Sequence, residues 1–156
     1  MKKFCLGFTL IELLLVASII TIIFGIGIAQ YMNFNRSQIL EQAARGLENN
    51  LRMAQMMASS GEKPNGCSVL DGYRVGFFSG GSNPDSYTIM AICGGKTVDS
   101  GQNFSLPSVV KFSPLPPSFL FKVLSQGTDL NSDLTISLTA FGKVKNIIVT
   151  KEGKIE

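Results

Sequence analysis

The chain has 156 residues, a formal net charge of +3, and neither histidine nor tryptophan. That length suits one globular domain with an appendage, and the missing histidine removes the usual general base, proton switch and metal ligand. Without Lys2 and Lys3, 12 cations face 11 acids, a balance that gives no general reason to expect a nucleic-acid partner.

From Phe8 to Ala29 the only charged residue is Glu12. This run is close to the roughly 20 residues needed to span a hydrocarbon core. A charge at the centre of such a helix costs on the order of 2.5–3.5 kcal/mol, so Glu12 calls for a partner or a job. Lys2 and Lys3 precede the run. By the positive-inside rule they place the N-terminus in the cytoplasm and the remainder outside, as a single-pass protein. Gly25 and Gly27 interrupt the run, either as bending or close-packing positions or as ordinary glycines of a membrane helix.

The helical pattern continues. Leu40, Ala44, Leu47, Leu51, Ala54 and Ala58 recur at steps of four and three and define one stripe. Glu41–Arg45 and Glu48–Arg52 are favourable i,i+4 pairs on another face. Gly61 and Pro64 supply the stop. A helix from Phe8 to about Ser60 would be roughly 80 Å long at 1.5 Å per residue, so its outer half needs a cover for its stripe.

After Ser60 the texture is β-like. All six prolines and most of the glycines fall there. Short apolar runs stand between turn signals at Tyr73–Phe78, Tyr87–Cys93, Val109–Ser113, Phe119–Leu124, Leu134–Ala140 and Val144–Thr150. Residues 79–85 read as a loop, Phe141-Gly142-Lys143 as a tight hairpin, and Glu152-Gly153 as a last turn before Lys154-Ile155-Glu156. Cys5 lies at the extreme N-terminus; Cys67 and Cys93 stand 26 positions apart, which is no CxxC pattern. Outside the cytoplasm Cys67 and Cys93 can pair; otherwise they read as two small buried thiols.

Lys2-Lys3 followed by Gly7-Phe8-Thr9-Leu10-Ile11-Glu12-Leu13-Leu14 resembles the signal of type IV pilins and type II secretion pseudopilins. The Leu47–Ala58 region, segment 73–93 and the closing Ile136, Ile147-Ile148-Val149 and Gly153-Lys154-Ile155 are similar, more loosely, to minor pilins and minor pseudopilins. The resemblance implies an α+β, pilin-like fold with a long N-terminal helix on a small antiparallel β-sheet head. It divides the chain into a leader at 1–7, a transmembrane and assembly helix at 8–30, an amphipathic helix at 31–60 and a β-rich head at 61–156. It implies insertion in the bacterial inner membrane with an extracytoplasmic head. It also implies cleavage between Gly7 and Phe8, methylation of Phe8 by a prepilin peptidase/methyltransferase, and assembly with other pilins or pseudopilins into a helical filament. The position that carries proline in many relatives is Ala29 here, so a proline kink is absent from the expectation.

Cleavage before Phe8 would create a positive α-amine, with Glu12 about 6 Å further along a helix axis. Glu12 of one subunit would then neutralise the amine of its neighbour, and one axial offset satisfies both groups. The plainer alternative is an interfacial carboxylate that reaches the headgroups. An ordinary secretory signal cut after Gly27-Ile28-Ala29 competes with this reading, but it conflicts with Glu12 and with the length of the apolar run.

Asp129, Asn131 and Asp133 have the spacing of a calcium loop, but Leu134 and Ala140 stand where glycine and glutamate are wanted. A polar turn is the preferred reading. Lys143, Lys145, Lys151 and Lys154 are a candidate phosphate contact, as in DNA-binding minor pilins of uptake filaments, or else guards of an edge strand. No base-stacking aromatics interleave with them. Asp71, Asp85 and Asp99 read as turn residues. No catalytic constellation and no cofactor motif is visible, so the sequence reads as a structural subunit. A DNA-binding minor pilin and a membrane-anchored head that never polymerises are the alternatives.

Overall fold

The computed structural model describes residues 9–98, 101–124 and 126–156. The chain divides into two compact units, Met1–Arg36 and Ser37–Glu156. Helix α1 (Leu10–Ser60) begins in the first unit and supplies the helix of the second.

Thr9 sets the start of α1. Its hydroxyl accepts from the Glu12 amide at 3.3 Å and its carbonyl from the Leu13 amide at 3.2 Å. Thr9 is thus the N-cap, and Glu12 occupies the third helical position, the spacing of a capping box. Within the apolar half, the Ser18 hydroxyl donates to the Leu15 carbonyl and that of Thr21 to Ala17, both at 2.8 Å. Neither hydroxyl therefore needs water. The other end closes as a Schellman turn. The Glu62 amide donates to Met57 O and the Gly61 amide to Ala58 O, each at 3.1 Å, with Gly61 at φ +66°.

In the second unit, α1 buries the expected stripe of Leu40, Ala44, Leu47, Leu51, Ala54 and Ala58, with Ala43 added. The alternating small and large residues let the helix lie close on the sheets. One antiparallel sheet contains β1 (Leu70–Phe78), β2 (Ser86–Cys93), β3 (Lys96–Thr97), β4 (Gln102–Ser105) and β6 (Phe119–Lys122). Its order is β3-β2-β1-β6, with β4 also on β2. A second antiparallel sheet has the order β5 (Lys111–Phe112), β7 (Leu134–Ala140), β8 (Lys143–Val149).

Period-two alternation turns Tyr73, Val75 and Phe77 of β1 and Tyr87, Ile89 and Ala91 of β2 inward. Ile136, Leu138, Ile147 and Val149 do the same from β7 and β8. All share one core with the helix stripe. Phe77 joins the two sheets by an edge-on contact with Phe112, ring centroids 5.2 Å apart. The Asn50 amide donates to the Tyr87 hydroxyl at 2.7 Å and ties helix to sheet. Burial pushes the Tyr87 pKa upward against that hydrogen bond.

The strands differ from expectation in particular places. The segment expected at Val109–Ser113 shrinks to Lys111–Phe112, because a turn from Val110 N to Pro107 O precedes it and Pro114 follows. Phe119–Leu124 ends at Lys122, where Leu124 turns to φ 54° and its amide donates to Ala58 O. Lys143 belongs to β8, paired with Ala140, so the hairpin turn is Phe141–Gly142 alone. β3 and β4 have no counterpart in the sequence reading. The last residues close on β8, with Ile148 and Glu156 exchanging both backbone hydrogen bonds.

Candidate assembly site

The N-terminal half of α1 is exposed along its described length, with Leu10 79 % and Phe24 66 % exposed. It contains a window of mean hydropathy 2.5, long and apolar enough to cross a membrane. Glu12 stands in its first turn, on a face shared with Leu13, Val16, Ala17 and Ile20. The position suits a carboxylate twice over. The positive end of the helix dipole favours an anion there, and the Thr9 hydroxyl holds the Glu12 amide at 3.3 Å. Ala17 one turn on keeps that face low. A Cβ added at Gly25 would meet nothing within 4 Å, so nothing among the described residues demands glycine there. Lys2, Lys3, Cys5, Gly7 and Phe8 lie outside the described residues, as does Asp99.

The head separates the other candidates. Cys67 and Cys93 are joined as a disulfide, tying the segment before β1 to the end of β2. Asp129 and Asp133 do not converge. The first accepts the Leu120 amide at 2.7 Å and the second the Lys151 amide at 3.1 Å. Among the described residues no group of three or more histidines, cysteines or carboxylates could hold a metal. The four lysines are each engaged. Lys143 donates to the Ser37 hydroxyl, Lys145 pairs with Glu41 at 3.0 Å, Lys151 lies 3.7 Å from Glu152, and Lys154 pairs with Glu156. Hydrogen bonds from Lys145, then Arg45, hold the Glu41 carboxyl below its ordinary range. Three of the four lysines thus face a carboxylate before any phosphate arrives.

Two grooves flank the helix of the head. One, of about 670 Å³, runs between α1 and β8 and alternates charges: Glu41, Arg45, Glu48, Arg52, Lys145 and Glu156. The other, of about 800 Å³, lies towards β4 and is lined by Ile39, Ala43, Gly46, Tyr87, Phe104 and Leu106. Neither gathers a nucleophile with a base.

Sequence reasoning missed the role of Asp85. It is 2 % exposed, accepts the Gly80 amide at 3.0 Å and the Phe112 amide at 2.9 Å, and pairs with Lys111 at 3.2 Å. The Lys111 ammonium also donates to the carbonyls of Gly81 and Asn83. Asp85 therefore clasps the β1–β2 loop to the second sheet. Desolvation pushes its pKa up, but the two amides and Lys111 outweigh it, and the net shift is downward. No local signal marks this: the partner lies 26 residues away.

An exposed apolar helix with one acid in its first turn, leading into a helix-backed antiparallel head, defines an α+β, pilin-like architecture. Residues 2–28 match the prokaryotic N-terminal methylation motif. The chain thus carries the N-terminal signal of type IV pilins and pseudopilins, which supports a pilin-like, membrane-anchored protein. No curated protein and no solved structure matches it.

Proposed function

We propose that this protein is a minor structural subunit of a type IV pilus or a type II secretion pseudopilus. It is held in the inner membrane by α1 with its N-terminus in the cytoplasm. It is cut between Gly7 and Phe8, methylated on Phe8, and drawn into a helix bundle. The observation that carries this reading is Glu12, a lone acid on the exposed face of an apolar helix that already has its own cap. Within a bundle, Glu12 neutralises the Phe8 amine of the next subunit. Pairing offsets the cost of burying either charge and fixes the axial register.

The test is the intact mass of the membrane-extracted protein. The expected product lacks residues 1–7 and carries one added methyl group. A chain that keeps its leader, or one that starts at Gln30, contradicts the proposal. The alternative role in DNA uptake has less support, because Lys145, Lys151 and Lys154 already face acids. A gel shift of the processed protein at low salt would revive it.

A further inference from the structure

We propose that the outer face of the sheet formed by β1, β2 and β6, the face turned away from the helix stripe, docks an extended acidic segment of a partner protein, with Arg74 and Lys122 as its anchors. The inference is independent of the role assigned to Glu12.

The face follows from register. Tyr73, Val75 and Phe77 of β1 are buried in the core, so Arg74, Gly76 and Phe78 point the other way. Strand pairing sets Met90 of β2 and Leu120 of β6 on either side of Arg74, and Lys122 beside Gly72. Arg74 is exposed, while Met90, Leu120 and Lys122 are half-buried. Phe78 is 49 % exposed, and its ring rests over Gly76, 3.5 Å from where a Cβ would stand. One guanidinium thus rises from an apolar surface.

Its charge is unanswered. Arg45, Arg52, Lys111, Lys145, Lys151 and Lys154 all meet carboxylates of the chain. Among the described residues Arg74 and Lys122 have neither an ion pair nor a side-chain hydrogen bond. The acids that flank them in sequence are already held, Asp71 by the Gly95 amide at 2.6 Å and Asp129 by the Leu120 amide at 2.7 Å. None of the outward positions of β1, β2 or β6 is an acid. The Thr88 hydroxyl, across from Gly76 on the same face, is buried without a partner among the described residues. Three donors on one face therefore lack an acceptor, and a ligand from outside can supply it.

Spacing selects the ligand. Arg74 and Lys122 are diagonal neighbours on adjacent strands, a separation of about 7–8 Å. Carboxylates at alternate positions of an extended chain are about 6.4–6.8 Å apart. Apolar side chains on the same face of that segment reach Met90, Leu120 and Phe78. The guanidinium fork takes a carboxylate through two parallel hydrogen bonds. A nucleic-acid strand fits less well, because it stacks successive bases on successive rings, and Phe78 is the single ring among these outward positions.

The probe is fluorescein-labelled Leu-Thr-Asp-Thr-Asp-Thr-Leu, titrated with the full chain in a neutral detergent at low salt and read by anisotropy. The expected result is saturable binding that weakens about tenfold or more in Arg74→Gln, weakens less in Lys122→Gln, and is lost when asparagine replaces aspartate in the peptide. Arg74→Lys should restore only part, because an ammonium cannot form the bidentate pair. Lys96→Gln should bind as wild type, since Lys96 pairs with Cys93, which alternates to the other face from Ile92. Arg74 is exposed, so its variants should keep the wild-type thermal midpoint, which separates lost binding from lost folding. A wild-type chain that does not bind, an asparagine peptide that binds equally well, or an equal loss in Lys96→Gln overturns the proposal. Stronger competition by oligothymidylate, dependent on Arg74, overturns it in favour of nucleic acid. Binding that emerges only in Asp99→Asn overturns it too, because an acid of the chain itself would then hold the guanidinium.

Discussion

The two halves of α1 share a backbone pattern and differ in what makes them helical. From Leu10 to Phe34 the described apolar side chains lie on every face and are exposed. From Leu40 to Ala58 most of them form one stripe buried under two sheets, with Met56 left exposed. A helix apolar all round is solvated by lipid or by other helices, whereas a one-sided helix is finished by its own chain. The first half therefore depends on an environment and the second does not. Perturbations should sort accordingly.

The largest separation is expected from Glu12→Val. Insertion, cleavage and the thermal unfolding of the head should be unchanged, while filaments disappear. A stranded terminal amine in a helix bundle costs about 3–5 kcal/mol per subunit. Sheared-filament yield beside membrane content measures the effect, and normal filaments would remove Glu12 from the mechanism.

The opposite pattern is expected in the head. Replacing Cys67 and Cys93 with serine opens a loop of 26 residues, which should cost about 3–4 kcal/mol by chain entropy. Urea unfolding in detergent would read this, with cleavage and methylation unaffected. Asp85→Ala should cost about 2–3 kcal/mol, since it leaves two amides and Lys111 without their acceptor. Because the Asp85 pKa is lowered in the folded protein, its contribution is present above the ordinary aspartate range, near pH 4. It is lost as pH falls through the lower folded value. Unfolding followed from neutral to strongly acidic pH should show wild type losing stability faster than Asp85→Asn. Parallel curves would refute the assignment.

What could be read in the sequence follows the same division. The membrane half announces itself by composition, because one acid in a long apolar run needs no knowledge of the fold. The stripe and the Leu134–Ala140 strand were legible because period 3.6 and period 2 survive in a single sequence. β4 was not, since Gln102-Asn103-Phe104-Ser105 is a polar edge strand whose pairing with β2 depends on register set elsewhere. Asp85 was invisible for a different reason. An acid in a Ser-Gly-Asn-Pro loop looks like any turn residue until folding brings Lys111 and the Phe112 amide to it. The Thr9–Glu12 cap was present as a local motif and was overshadowed by the charge argument.

The smallest effect is expected at the β7–β8 turn of the head, where Phe141 lies at φ 52°. Phe141→Asn should relieve a left-handed phenylalanine and stabilise the head by roughly 0.5–1 kcal/mol, raising its midpoint by a few degrees. Thermal unfolding of the purified protein in detergent measures this. A rise in midpoint would mean that the head tolerates strain at this turn. A fall would show that the ring contributes packing to the head that outweighs the strain of its left-handed backbone.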